Sequence, residues 1–130
     1  MAKILVADDS ATNLLLLTTV LGYAGHLVIE ATDGVEAFEM ARACHPDLVI
    51  TDIIMPNKGG AELVNCLRAD PALAHIPIIF YTASDHWDEA LTLAQSCGVP
   101  IVISKPSEPQ VIFNAVALAL EKKNANDTGR

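Results

Sequence analysis

Three aspartates close two uncharged runs: Asp8 and Asp9 follow Ile4-Leu5-Val6-Ala7, and Asp52 follows Leu48-Val49-Ile50-Thr51. A strand without charge of its own that stops at a carboxylate delivers that carboxylate to the rim of a sheet. Two such strands side by side crowd three negative charges, which either raise a carboxyl pKa or attract a hard divalent cation. Magnesium, with manganese as the alternative, suits an all-oxygen site that keeps waters and accepts a phosphoryl oxygen. With the cation bound, a carboxylate can attack phosphorus, provided neighbouring groups neutralise the equatorial oxygens as charge redistributes. Thr82, at the end of the run from Ile78, and Lys105, just past the run Ile101 to Ser104, supply a hydroxyl and an ammonium for that purpose. The product would be an aspartyl phosphate.

The elements that must position these groups are legible as alternation. Five short runs rich in β-branched residues recur: Ile4 to Ala7, Leu27 to Ala31, Leu48 to Thr51, Ile78 to Thr82 and Ile101 to Ser104. Each is nearly continuous rather than alternating, the pattern of strands covered on both faces. Between them, helical spacing and start signals predict helices over Asn13 to Ala24, Val35 to Cys44, Ala61 to Ala69, Trp87 to Ser96 and Gln110 to Lys122. Asp33-Gly34 precedes the second helix, Asp85 stands three residues before Asp88 at the fourth, and Ser107 three before Gln110 at the fifth, with Pro109 in its first turn. Gly25 and Gly98 follow the first and fourth helices, where a left-handed cap wants no Cβ.

Such alternation predicts an α/β fold, a flavodoxin-like doubly wound five-stranded parallel sheet of order 2-1-3-4-5 with five helices. Its switch point lies between strands one and three, which carry the aspartates. Ligands in open α/β sheets bind beyond the carboxyl ends of the strands, so Asp8, Asp9, Asp52, Thr82 and Lys105 are expected to converge on one crevice.

Length and charge bound the rest. At 130 residues the chain is one domain, expected over 1–123, with 124–130 a polar tail or the start of a linker. Eight Lys and Arg against sixteen Asp and Glu leave a formal net charge of −8. Such a surface repels phosphate backbones and anionic lipid, which argues against direct nucleic-acid or membrane binding and for proteins and cations as partners. Cys44, Cys66 and Cys97 are odd in number, far apart and outside any zinc spacing, so they read as packing residues in a reducing compartment. No secretion signal or membrane-spanning run is present, and the expected location is the cytoplasm.

Each site residue also has a plainer reading. Asp8-Asp9 could cap a helix, Thr82 could satisfy a backbone group at a strand end, and Lys105 could be a solvated surface charge.

Taken together, these residues resemble the receiver domain of two-component response regulators. The match covers essentially the whole chain: the acidic pair Asp8-Asp9 after strand one, Asp52-Ile53-Ile54-Met55-Pro56 with Gly60 eight residues past the aspartate, Thr82-Ala83 ending strand four, and Lys105-Pro106 after strand five. Any one of these is weak evidence, and five in order on the expected strands are strong. The resemblance implies that Asp52 is phosphorylated by a histidine kinase or histidine phosphotransfer protein. It implies that Asp9 and Asp52 bind magnesium directly, Asp8 through water, and that the backbone carbonyl of Ile54 completes the set. Thr82 would bond the phosphoryl group, Lys105 would pair with it, and the Lys105-Pro106 bond would be cis. The chain would then be a signalling switch rather than an enzyme, a phosphoacceptor domain that assists its own phosphorylation and dephosphorylation.

Two departures stand out. Three residues before Lys105, where many such domains carry an aromatic switch residue, stands Val102; and Asn57-Lys58-Gly59-Gly60 lacks an acid before its last glycine, which implies a looser loop. Val102 leaves open a receiver used only for docking. A metal-dependent phosphohydrolase of the haloacid dehalogenase type wants a second acid two residues past the nucleophile, where Ile54 stands. A flavodoxin-like cofactor binder wants a phosphate cradle where Asp8-Asp9-Ser10-Ala11-Thr12 stands, and no P-loop or dinucleotide fingerprint occurs. In Leu14-Leu15-Leu16-Leu17, the core stripe Leu17, Val20, Leu21 and Ala24 leaves Leu14, and with it Leu15, pointing outward. The resemblance implies kinase docking beside this helix, a homodimer through the fourth helix, fifth strand and fifth helix, and a covalently linked output domain as a further partner. Trp87, the only tryptophan, is expected near Thr82, and the histidines form no metal cluster.

Overall fold

The near-continuous apolar runs are strands whose side chains alternate between two helical layers. The computed structural model describes residues 1–128, with side chains through Lys122. The order is β1 (Lys3–Ala7), α1 (Ala11–Tyr23), β2 (Leu27–Ala31), α2 (Gly34–Cys44), β3 (Leu48–Thr51), α3 (Gly60–Ala69), β4 (Ile78–Ala83), α4 (Trp87–Cys97), β5 (Ile101–Lys105) and α5 (Pro109–Thr128). All pairings are parallel, and the sheet order is β2-β1-β3-β4-β5, as expected from the sequence. Part of the segment expected as a tail from 124 lies within α5, and residues 129–130 lie outside the described residues.

Period-two alternation sends Ile4 and Val6 of β1, Leu48 and Ile50 of β3, and Ile79 and Tyr81 of β4 toward α1 and α5. Leu5, Val49, Ile78 and Phe80 point the other way, toward α2, α3 and α4. That division explains why the strands read as unbroken apolar runs: each residue has a helical layer to bury against, at roughly 1.5–3 kcal/mol per large side chain.

Helix ends follow the expected chemistry in part. Asp33 Oδ1 accepts the Glu36 N–H at 2.8 Å and caps α2, while Gly25 and Gly98 adopt φ of 88° and 70° at the ends of α1 and α4. Asp85 is not a cap: it lies in a 3₁₀ turn, Ser84–His86, from which α4 continues without a side-chain cap. Ser107 caps nothing either, because its Oγ donates to the Ser104 carbonyl. The Lys105–Pro106 peptide bond is cis.

The first helix corrects one expectation. Leu14 is buried at 6% exposure among α1 and α5 side chains, and Leu15 is the outward residue at 67%. The helix starts at Ala11 rather than Asn13, capped by Ser10, whose Oγ accepts from the Asn13 N–H at 3.3 Å. Leu14 then extends the buried stripe of Leu17, Val20 and Leu21, three and four residues apart, while Ala24 lies beyond the helix and is exposed. No helix among the described residues is long and apolar enough to cross a membrane.

Leu14→Asp should lower the free energy of unfolding by more than about 3 kcal/mol, because it removes buried methyls and buries an unpaired carboxylate. Leu15→Asp should change it by less than about 0.5 kcal/mol. Urea unfolding of the two variants side by side separates these outcomes.

Candidate functional site

The sheet register sets the site. β1 and β3 are neighbours with Ala7 opposite Thr51, so the next residues along, Asp8 and Asp52, leave the sheet together. The Asp52 N–H bonds the Ala7 carbonyl at 3.0 Å and the Asp8 N–H bonds Ala31 at 3.1 Å, which carries the ladder one residue past the strands. Asp8, Asp9 and Asp52 each present a carboxylate oxygen within 4.8 Å of the other two. This is the cluster expected from the sequence, and no histidine or cysteine joins it.

Lys105, at the end of β5, reaches across β4 into the same crevice. Its Nζ donates to Asp52 Oδ2 at 2.7 Å and lies 2.6 Å from Asp8 Oδ2, a contact that is an ion pair rather than a well-directed hydrogen bond. The three side chains are nearly closed off from solvent, at 11% exposure for Lys105, 13% for Asp52 and 2% for Asp8. Burial pulls the Lys105 ammonium down, but the hydrogen bond to Asp52 and the close negative charge of Asp52 and Asp8 outweigh it and leave its pKa above the ordinary lysine value. One ammonium against three carboxylates leaves the crevice acidic, and the remaining oxygens are hard donors of the kind a divalent cation takes.

The plainer readings do not survive this geometry. Ser10, not the aspartate pair, caps α1, and Asp8 Oδ1 instead accepts the Ser10 N–H at 2.9 Å. Thr82 is fully buried, and its Oγ1 has no protein partner among the described residues, so it satisfies no backbone group. Lys105 is not a solvated surface charge.

The segment from Asp52 to Gly60 is tied down rather than loose. Asp52 Oδ1 accepts the Ile53 N–H at 2.7 Å, and the Gly60 N–H returns to the Ile53 carbonyl at 2.9 Å. Asn57, at φ 67°, donates its amide to Asp33 Oδ2 at 2.6 Å, and the Gly34 N–H bonds the Lys58 carbonyl at 3.0 Å. The Glu36 backbone N–H, and next the Asn57 amide, hold the Asp33 carboxyl below its ordinary range. The absent acid before Gly60 is thus replaced by a brace to the α2 N-terminus. Ile54 lies in this loop with its side chain outward, 45% exposed.

Tyr81 was hidden in the sequence inside an apolar run. Its ring lies 5.6 Å from Lys105 Nζ. Burial pushes its hydroxyl pKa up, so the phenol is neutral, and the nearby Ser107 backbone N–H approaches without completing a hydrogen bond. Val102, on the opposite face, packs against the cluster of α2, α3 and α4. An apolar groove of about 270 Å³, lined by Thr19, Val20, Tyr23, Pro109 and Phe113, lies between α1 and α5.

Comparison with known proteins gives one consistent picture. Residues 4–117 match the model of the response regulator receiver domain. The chain is 31% identical to protein PilH of Pseudomonas aeruginosa over 92% of its own length and 98% of PilH. It is 36% identical over 88% of its length to the CAI-1 autoinducer sensor kinase/phosphatase CqsS of Vibrio cholerae, of which it spans only 17%. The crystal structure of the chemotaxis response regulator CheY4 of Vibrio cholerae superposes with a TM-score of 0.84 at 28% identity, over 92% of this chain and 98% of that one.

Gly60 sits against the backbone of Asp52 itself. A Cβ there would collide with the Asp52 carbonyl oxygen and come within 2.9 Å of the Ile53 Cα. Gly60→Ala should therefore cost about 1–3 kcal/mol of stability and displace Asp52. Thermal unfolding combined with magnesium titration followed by Trp87 fluorescence should register both a lower midpoint and weaker binding.

Proposed function

Because the chain belongs to the response regulator receiver domain family, we propose that it is a phosphoryl-accepting switch whose acceptor is Asp52. The observation that carries this reading is the single ammonium of Lys105 held between Asp52 and Asp8, beside a buried Thr82 hydroxyl that lacks a partner. An oxygen of the Asp52 carboxylate attacks the phosphorus of a phosphohistidine on a histidine kinase or histidine phosphotransfer protein. The P–N bond breaks, and the donor's imidazole leaves with its electron pair and takes up a proton. Lys105 moves its ammonium from carboxylate to phosphoryl oxygen, and the Thr82 hydroxyl supplies the hydrogen bond it does not spend in the resting state. Asp8, Asp9, Asp52 and the Ile54 carbonyl would hold magnesium, or manganese in its place, which supplies charge neutralisation at the phosphoryl oxygens.

The chain is a signalling phosphoacceptor rather than a turnover enzyme in this reading, and the same residues assist both its phosphorylation and its hydrolysis. The phosphorylated state shifts the surface around Thr82, α4 and β5 and so changes a protein contact, including pairing of two copies through α4, β5 and α5. Its place is the cytoplasm, alone or joined to an output domain. The phosphohistidine-bearing partner docks on α1, where Leu15 is exposed in the helix that begins two residues past Asp9. The docking-only alternative rests on Val102, which supplies no aromatic switch.

Intact mass after incubation with magnesium and a small acyl phosphate is the direct test. A single phosphoryl adduct that requires magnesium and disappears in Asp52→Asn is expected; a folded, magnesium-binding protein that takes no adduct would leave the docking-only reading. Leu15→Asp should slow transfer from a phosphohistidine partner at least about tenfold, the loss of one buried apolar anchor, while the acyl phosphate reaction stays at its wild-type rate.

A further inference from the structure

Lys105 is the one cation among the site residues, and it is carried on a four-carbon stem with several rotatable bonds. Holding such a side chain in one place costs conformational entropy, so a fixed ammonium needs more than charge to orient it. β5 pairs with β4 so that Lys105 lies opposite Ala83 and Ile103 opposite Tyr81. Tyr81 is therefore the diagonal neighbour of Lys105 on the same face of the sheet, a spacing that aromatic and long side chains span. The ring lies 5.6 Å from Nζ, within the range of a cation–π contact, and both partners are withdrawn from water, at 1% exposure for Tyr81 and 11% for the Lys105 side chain. Asp8 and Asp52 hold the ammonium from one side while the ring stands against it from the α1–α5 side.

We propose that Tyr81 is a positioning residue for Lys105: its ring holds the ammonium at the place where it meets the phosphoryl group arriving at Asp52. Of the two carboxylates, Asp52 becomes the acyl phosphate and is lost as the lysine's partner, which leaves Asp8 and the ring to place the ammonium. The ring, like Asp8, is unchanged by the transfer, and it backs the ammonium from the side away from the carboxylates. A leucine at this position would fill the apolar cluster about as well and would leave the ammonium without that support. The inference rests on Asp52 being the acceptor, so the wild-type adduct and its loss in Asp52→Asn are established first.

The experiment is a double-mutant cycle read by the initial rate of magnesium-dependent phosphorylation with acetyl phosphate. Tyr81→Leu should lower the rate at low donor concentration roughly five- to thirtyfold, the range a desolvated cation–π contact spans. Tyr81→Phe, which keeps the ring, should restore it to within about twofold. In a Lys105→Met background, Tyr81→Leu should cause no further loss, since a residue that acts through the ammonium has nothing left to act on. A merely structural role would lower the rate equally in both backgrounds, and that result, or a Tyr81→Leu rate equal to wild type, overturns the proposal. Tyr81→Met, ring-free and adaptable in shape, takes the place of Tyr81→Leu if the latter does not fold. A wild-type protein that takes no adduct overturns the reading of Asp52 instead and is recognised before any Tyr81 variant is measured.

Discussion

The contact on which the site depends is the ammonium of Lys105 between the carboxylates of Asp8 and Asp52, at 2.6 and 2.7 Å. Asp8 and Asp52 are withdrawn from water beside the exposed Asp9, and Lys105 supplies the cation that the chain itself can provide. Its cost is desolvation, which alone would drive a buried lysine toward neutrality; two close carboxylates reverse that and keep it charged. The arrangement needs β1 and β3 to end at one level, Ala7 opposite Thr51, and β5 to run on three residues past Val102, which is level with Thr51 through Phe80.

The pleat divides the site between two faces. Thr82 lies on the face of the sheet shared with α2, α3 and α4, while Tyr81 and Lys105 lie on the α1–α5 face with their backs to it. The hydroxyl and the ammonium thus approach the Asp52 carboxylate from opposite sides, one short and fixed by the strand, the other long and fixed by its partners. Val102, also on the Thr82 face, gives that side an aliphatic neighbour, so the aromatic ring nearest the chemistry is on the other side, beneath Lys105.

What could be read from the sequence is what a strand's own pattern records. Asp8, Asp9, Asp52, Thr82 and Lys105 end their runs, and ends of parallel strands converge by geometry alone, so the cluster was legible without any contact being known. Leu14 was misplaced because four consecutive leucines carry no phase of their own; the phase is set by Ser10, whose cap starts the helix at Ala11 and brings Leu14 under. Asp85 and Ser107 have the right residue types for caps, yet the chain leaves β4 through a 3₁₀ turn and Ser107 bonds backward to Ser104. Both are local alternatives equal in chemistry, and tertiary placement decides between them. The brace from Asn57 to Asp33 spans 24 positions and has no signature in either segment. Tyr81 was invisible for a similar reason: its partner is on another strand, and only the register brings them together.

Formal charge explains why such a site can register one chemical event. Three carboxylates, one ammonium and a divalent cation sum to zero, a balance that suits a site in which Asp8 and Asp52 are withdrawn from water and Asp9 faces it. With Asp52 as the acceptor proposed above, the transfer replaces a single negative charge by an acyl phosphate carrying about −2, and the crevice goes from balanced to one negative charge in excess. No further ammonium or guanidinium stands among the described residues that pair with these acids. The excess must then be met by neutral donors, and the Thr82 hydroxyl is the buried donor at this rim with nothing else to bond.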